Sequence, residues 1–343
     1  MQAEGFKALL PFEGFNRMGY VEVLVNIRFF MKAKKLLVNE LKTDPPQILV
    51  CVDFSGFNTQ IMKAAHALGI PVLWYIAPKA WAWKKKKHTT NLRKYATHVA
   101  AIFPFEIDFF RPYLKEISFV GNPLVEYIDS KKYTITNLET EDLRKKENIR
   151  LALVPGSRYH EIENVLPTMI DAYKQLKKKY PSFSATLSTC GHIPMETYKK
   201  IAGDQQIDFF NGPLEEMFQA ADLALVTSGT ATLQTALMGV PMVIVYKISY
   251  ITYVLYKTFI KGLTHVGLPN IIAGEEVARE LLQYDMTTEN IVSSLQEFIE
   301  SPEKYKATVQ RLESLKESLG SKKPSVEVTN LIKQLTESNK NKE

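Results

Sequence analysis

Arg150-Leu-Ala-Leu-Val-Pro-Gly-Ser-Arg158 is a short apolar run that breaks into a small polar turn, and a helical pattern follows it near 160–179. A run of this length rich in Val and Leu, bounded by turn residues, reads as a buried strand. The same strand–turn–helix unit recurs on both sides. Upstream lie Ile48-Leu-Val-Cys-Val52, Val72-Leu-Trp-Tyr-Ile76, His98-Val-Ala-Ala-Ile-Phe103 and Ile117-Ser-Phe-Val120. Downstream lie Ala185-Thr-Leu-Ser188, Ile207-Asp-Phe-Phe210, Leu223-Ala-Leu-Val226 and Met242-Val-Ile-Val-Tyr246. Strands alternating with helices predict an α/β chain of doubly wound, Rossmann-like parallel sheets covered on both faces. The texture turns polar and lysine-rich between Gly121 and Asn148, which predicts two domains, 1–135 and 136–304. Helical patterns dominate from Glu275 onward. Residues 20–42 read as an amphipathic helix feeding the Ile48 strand, and Asn58 or Thr59 is the expected cap of the helix after it.

The 343 residues suit two domains of ordinary size, with 45% hydrophobic and 23% charged residues, a globular composition. The net charge of +6 suits anionic ligands or an anionic surface and is too small to indicate nucleic acid. Two cysteines, Cys51 and Cys190, make neither a disulfide framework nor a Cys-rich zinc site, and suit a reducing cytoplasm. The first twenty residues carry Glu4, Lys7, Glu13 and Arg17, which interrupt any signal-peptide core, and no apolar stretch approaches the ~20 residues of a membrane span.

In open parallel sheets, ligands bind beyond the carboxyl ends of the strands. Three turns there carry chemistry. Gly156, Ser157 and Arg158 offer close backbone approach, a hydroxyl able to cap a helix or bond phosphate, and a forked cation. Ser228, Gly229 and Thr230 open a helix whose N–H groups and dipole favour an anion. Two such turns in one domain favour a diphosphate, while the absence of a GxxxxGK[ST] motif argues against ATP hydrolysis. Asp53 closes an apolar strand, where a carboxylate facing a cleft can serve as general base. No clustered His, Asp or Glu motif indicates a metal. Together these predict group transfer across an interdomain cleft, with a nucleoside diphosphate leaving group and a hydroxyl acceptor.

Asp53-Phe-Ser-Gly-Phe-Asn58, Ala77-Pro-Lys-Ala-Trp-Ala-Trp83, Phe103-Pro-Phe-Glu106, Val120-Gly-Asn-Pro-Leu124, Val154-Pro-Gly-Ser-Arg158, Ser228-Gly-Thr-Ala-Thr-Leu-Gln234 and Gly267-Leu-Pro-Asn-Ile-Ile-Ala-Gly274 occur in that order. The set resembles the lipid-A-disaccharide synthases, inverting glycosyltransferases of the GT-B fold. The resemblance implies transfer of 2,3-diacylglucosamine from UDP-2,3-diacylglucosamine to 2,3-diacylglucosamine 1-phosphate, giving a β-1,6-linked disaccharide and UDP without a metal or other cofactor. It implies Asp53 as base on the acceptor 6-hydroxyl. Gly156, Ser157, Arg158, Ser228, Gly229, Thr230, Gln234 and Asn270 fall on the donor side, and Asn58, Trp81 and Trp83 on the acceptor side. It also implies that C-terminal helices, about 305–336, return to the first domain. Three departures stand out. The chain opens at Met1-Gln-Ala-Glu-Gly5, downstream of the family's first strand and Gly-rich loop, so the first domain is expected to lack its opening βα unit. Gln234 replaces the usual glutamate, and Asn122 a usual histidine.

Acylated substrates imply a peripheral enzyme on the inner face of the cytoplasmic membrane. Lys84, Lys85, Lys86 and Lys87, and the basic, aromatic segment Ile248–Leu263, suit an anionic interface. A homodimer is compatible with this reading. Two alternatives stand beside it: an inactive homologue that binds nucleotide or membrane, and a UDP-sugar epimerase of the same fold.

Overall fold

The structure, a computed structural model, describes residues 5, 7–10, 27–81, 85–133, 142–247 and 264–340. The chain forms two compact units, Met1–Val120 with Lys323–Glu343, and Gly121–Lys322.

In the first unit, α1 (Ile27–Thr43) leads into β1 (Leu49–Val52), α2 (Ser55–Ala67), β2 (Val72–Tyr75), α3 (Lys85–Tyr95), β3 (His98–Ala101), α4 (Pro104–Phe110) and β4 (Ile117–Phe119). The strands pair in parallel in the order β1-β2-β3-β4, with Leu49 opposite Val72 and Val99 opposite Ile117. Cys51, Ile61, Met62, Val72, Trp74, Leu92 and Phe110 make the core. Burial pushes the Cys51 thiol up to about 12, so it behaves as a small apolar side chain. Gly69, at φ +72°, ends α2 by taking the left-handed conformation open to glycine. The helix starts at Ser55, ahead of the expected Asn58 or Thr59 cap, because Asp53 and Phe54 turn left-handed directly after the strand.

The second unit begins with α5 (Pro123–Lys131). Then come β5 (Ile149–Val154), α6 (Tyr159–Lys179), β6 (Phe183–Ser188), α7 (Met195–Ala202), β7 (Asp208–Phe210), α8 (Leu214–Ala220), β8 (Leu223–Thr227), α9 (Thr230–Leu237), β9 (Met242–Tyr246), α10 (Leu268–Ala273), β10 (Arg279–Leu282), α11 (Thr288–Glu300) and α12 (Pro302–Ser318). All its strands are parallel, in the order β10-β9-β8-β5-β6-β7. The chain builds outward from β5 in one direction and from β8 in the other, which makes the β5–β8 seam a topological switch point. Leu151, Leu153, Leu166, Met169, Leu187, Leu225 and Val243 fill the core around it.

Two expectations need correction. The division falls between Val120 and Gly121 rather than after residue 135. Asn122 shows why: its Oδ1 accepts the Leu124 N–H at 2.9 Å and starts α5, which the Lys316–Asp129 ion pair ties to α12. Helix α12 stays in the second unit as well, since the Tyr305 hydroxyl donates to the Asp222 carbonyl at 3.2 Å. Only the residues of α13 (Pro324–Lys340) group with the first unit. Second, Arg279-Glu-Leu-Leu282 reads as helical but forms the edge strand β10.

Candidate active site

Asp53 sits one residue beyond β1, its N–H donating to the Tyr75 carbonyl at 3.0 Å. Asp53 and Phe54 both adopt φ of +43°. For residues other than glycine this conformation costs ~1–2 kcal/mol each, so neighbours must hold it. Asn58 does so: its Nδ2 donates to the Val52 carbonyl at 3.0 Å and to the Asp53 carbonyl at 2.9 Å. Phe54 packs on Phe57 (5.9 Å between ring centres), and Phe30 of α1 meets both rings at 6.0 Å. The result is an exposed carboxylate on a strained, braced turn at the carboxyl end of a strand. Strain of this kind concentrates at functional sites.

In the second unit, Val154 and Val226 are register partners on β5 and β8. The strands are parallel, so the 155–158 and 228–230 turns leave the same edge of the sheet, side by side at the switch point. The two turns differ in their state. Glu161 of α6 folds back so that its Oε2 accepts the N–H groups of Ser157 and Arg158 at 3.2 and 3.3 Å, while its Oε1 takes Arg158 Nη1 at 3.0 Å. Arg158, not Ser157, is the N-cap. Gly156, at φ +102°, has no room for a Cβ because the Glu161 carboxylate lies against it. This turn therefore carries its own anion, and what it offers outward is a half-exposed guanidinium whose only hydrogen bond among the described residues is the one from Nη1 to Glu161.

The α9 N-terminus is open. Among the described residues no partner within the chain takes the N–H groups of Gly229, Thr230 and Ala231. Ser228 Oγ donates to the Val266 carbonyl at 3.1 Å. Thr227 is 2% exposed, and its Oγ1 is, among the described residues, a buried side-chain polar atom without a hydrogen-bond partner. Open amides, the helix dipole and an unpartnered hydroxyl at one strand end form a ready anion site.

Asn270 does a different job from a ligand contact. It is fully buried; its Oδ1 accepts the Val277 and Ala278 N–H groups, each at 2.8 Å, and its Nδ2 donates to the Ala278 carbonyl at 2.7 Å and to Glu280 Oε1 at 2.8 Å. Glu280 in turn accepts the N–H groups of Val266 and Gly267. Asn270 thus spends its hydrogen-bonding capacity inside the chain and braces the loop on which Ser228 leans.

A family profile of lipid-A-disaccharide synthetases matches residues 1–333. The chain belongs to the lipid-A-disaccharide synthetase family. The lipid-A-disaccharide synthase of Trichlorobacter lovleyi is 32% identical over 93% of this chain and 83% of its own length. Lipid-A-disaccharide synthase 1 of Legionella pneumophila (Philadelphia 1) is 33% identical over 97% and 86%. Among solved structures, UDP-GlcNAc 2-epimerase from Neisseria meningitidis bound to UDP-GlcNAc superposes with a TM-score of 0.61 at 14% identity, covering 93% of this chain and 83% of that one. The calicheamicin glycosyltransferase CalG4 does so with 0.59, also at 14%, covering 91% and 81%. These two likenesses establish the GT-B fold, and the sequence relatives make this lipid-A-disaccharide synthetase homologue a glycosyltransferase of lipid A synthesis rather than an epimerase.

Of the remaining expected residues, only some fall among the described ones. Trp81 is half-buried and donates its indole N–H to Glu106 Oε1 at 3.2 Å. Glu106, 1% exposed, also accepts the Ile102 and Phe103 N–H groups at 3.1 Å, and burial pushes its carboxyl up to about 7 against these donors. Lys87, Arg93 and Lys94 of α3 are exposed. Trp83, Lys84, Lys257, Lys261 and the side chains of Lys85 and Lys86 lie outside the described residues, as does the rest of Ile248–Leu263. No helix among the described residues is long and apolar enough to cross a membrane. Thr227 belongs to the hydroxyl-rich turn that the sequence singles out ahead of α9, and Glu106 closes one of the quoted motifs, but sequence reading gave Glu106 no role and missed Glu161, Glu280 and Tyr246. Tyr246 closes β9, and burial, with the field of Glu161, raises its hydroxyl pKa.

Proposed function

We propose that this glycosyltransferase moves 2,3-diacylglucosamine from UDP-2,3-diacylglucosamine to the 6-hydroxyl of 2,3-diacylglucosamine 1-phosphate. The observation that carries the donor half is the open α9 N-terminus beside the unpartnered Thr227 hydroxyl at the switch point. A diphosphate satisfies the amides of Gly229 and Thr230, and Arg158 adds a charge-assisted contact from the neighbouring turn. As the bond from anomeric carbon to diphosphate oxygen breaks, the leaving electron pair goes to UDP. Preorganised amides and a guanidinium stabilise that developing charge without reorganising, and in this reading no metal takes part.

The acceptor half rests on Asp53. Its carboxylate takes the proton of the 6-hydroxyl as that oxygen attacks the anomeric carbon from the face opposite UDP, which inverts the configuration. Both substrates carry acyl chains, so the enzyme works at a membrane surface without spanning it. The exposed cations of α3 suit an anionic interface.

Incubation of the purified chain with acylated donor and acceptor tests the proposal. UDP is released only when both lipids are present, and the Asp53→Asn variant loses roughly 10²–10⁴ in turnover with UDP affinity unchanged. Release of UDP without acceptor, or full turnover by Asp53→Asn, would contradict it.

A further inference from the structure

Gln234 lies on α9, one turn past the open N-terminus, and is half-buried. Glu215, in the first turn of α8, is 2% exposed. Gln234 Nε2 donates to Glu215 Oε1 at 2.7 Å. An ionised carboxylate only accepts hydrogen bonds, so it must take the NH₂ end of the amide. That choice fixes which way the amide faces and leaves Gln234 Oε1 as the end available to a ligand. A glutamine without such a partner presents donor or acceptor with a simple flip. One beside a buried carboxylate presents an acceptor.

We propose that Glu215 is a positioning residue, which orients the Gln234 amide so that its Oε1 accepts a hydroxyl of the nucleotide ribose. The inference rests on the reading of 228–230 as the UDP site. A glutamate, the usual residue here in the family this chain resembles, offers an acceptor whichever oxygen faces the ligand. A glutamine does so only when something holds its NH₂ elsewhere, and the 215–234 pair preserves the acceptor by moving the negative charge to the adjoining helix. The pair also explains why glutamate at 234 does not suit this chain: it would set two carboxylates at hydrogen-bonding distance, where both cannot stay ionised without cost.

UDP titrations by calorimetry test this on four proteins: the wild type, Glu215→Gln, Gln234→Glu, and the double variant carrying both changes. Each single change weakens UDP binding by roughly 3- to 30-fold, the scale of one or two hydrogen bonds. The double variant reverses donor and acceptor within the pair, so the carboxylate at 234 accepts from the amide at 215 and from the ribose, and affinity returns to near the wild-type value. Unchanged affinity in Glu215→Gln, or a double variant no tighter than the weaker single, would overturn the assignment. A second measurement needs no change at 215. The wild type binds UDP roughly fivefold more tightly than its 2′-deoxy or its 3′-deoxy form, and Gln234→Leu removes that preference. Equal affinity of the wild type for all three nucleotides would overturn the inference while leaving the UDP site intact. Absence of any UDP binding by the wild type would instead remove the underlying reading, and this inference with it.

Discussion

Val154 and Val226 are register partners on neighbouring parallel strands, and the residues after each form the two turns of the switch point. One turn is filled from within by Glu161. The other keeps its amides open beside Thr227. Helix N-termini attract anions generally, and this unit shows both outcomes next to each other: an internal carboxylate where the turn must be rigid, and open amides where a ligand would bring the charge.

Arg158 should act on the donor and not on the fold. Its guanidinium is half exposed, and among the described residues only Nη1 is engaged, by Glu161. Arg158→Ala is expected to weaken UDP binding by roughly 10- to 100-fold, the scale of a charge-assisted contact, with little change in melting temperature. Isothermal titration and a thermal melt on the same sample check both halves.

Asn58 braces the strained turn at Asp53 by holding two carbonyls. Asn58→Ala leaves two left-handed residues without that support, so a loss of about 1–2 kcal/mol in stability is expected. Turnover should fall more than UDP affinity, since Asp53 is displaced and the second unit is untouched. Denaturant melts and steady-state kinetics separate the two effects.

Much of this was legible in the sequence, and what was not shares a cause. The apolar strand runs and the turns after them announced the parallel sheets, and Asp53 could be found at a strand end. The carboxylates that fill the turns could not. Glu106 and Glu161 each stand three residues after an N-cap, the spacing of a capping box, but the N-caps are Phe103 and Arg158, residues that carry none of the usual signal. Strand β10 was hidden because Glu280 and Leu281 are good helix formers. Pairing with β9 and the bonds from Glu280 to the Val266 and Gly267 amides override that preference. Asn270 bonds across the turn between α10 and β10, to Val277, Ala278 and Glu280, and Gln234 meets Glu215 on the neighbouring helix; neither contact follows a helix or strand period, so spacing does not reveal it.

Glu106 should give stability a pH dependence. Burial raises its carboxyl to about 7, above the ordinary value near 4.5, so the folded state holds a proton that the unfolded chain has lost between these values. Its contribution is full below about pH 4.5 and is lost as the pH climbs through 7, by about 1–3 kcal/mol. In Glu106→Gln this part of the slope disappears. The variant is also destabilised by about 1–3 kcal/mol near pH 6, because its amide NH₂ faces the Trp81 indole N–H. Urea melts from pH 5 to 8 on both proteins measure it.

Asn270→Asp keeps the acceptor for Val277 and Ala278 but sets a carboxylate against the Ala278 carbonyl and Glu280. The expected cost is about 2–4 kcal/mol, well above that of an exposed binding residue. A thermal melt without nucleotide is the check, since a ligand contact alone would leave the unliganded protein unchanged.

Donor chemistry in this reading depends on UDP sitting on the α9 N-terminus. A crystal structure of the UDP complex measures this directly. The diphosphate is expected within hydrogen-bonding distance of the Gly229 and Thr230 amides, with Arg158 turned toward it. A nucleotide bound elsewhere on the chain, with those amides still open, would contradict it.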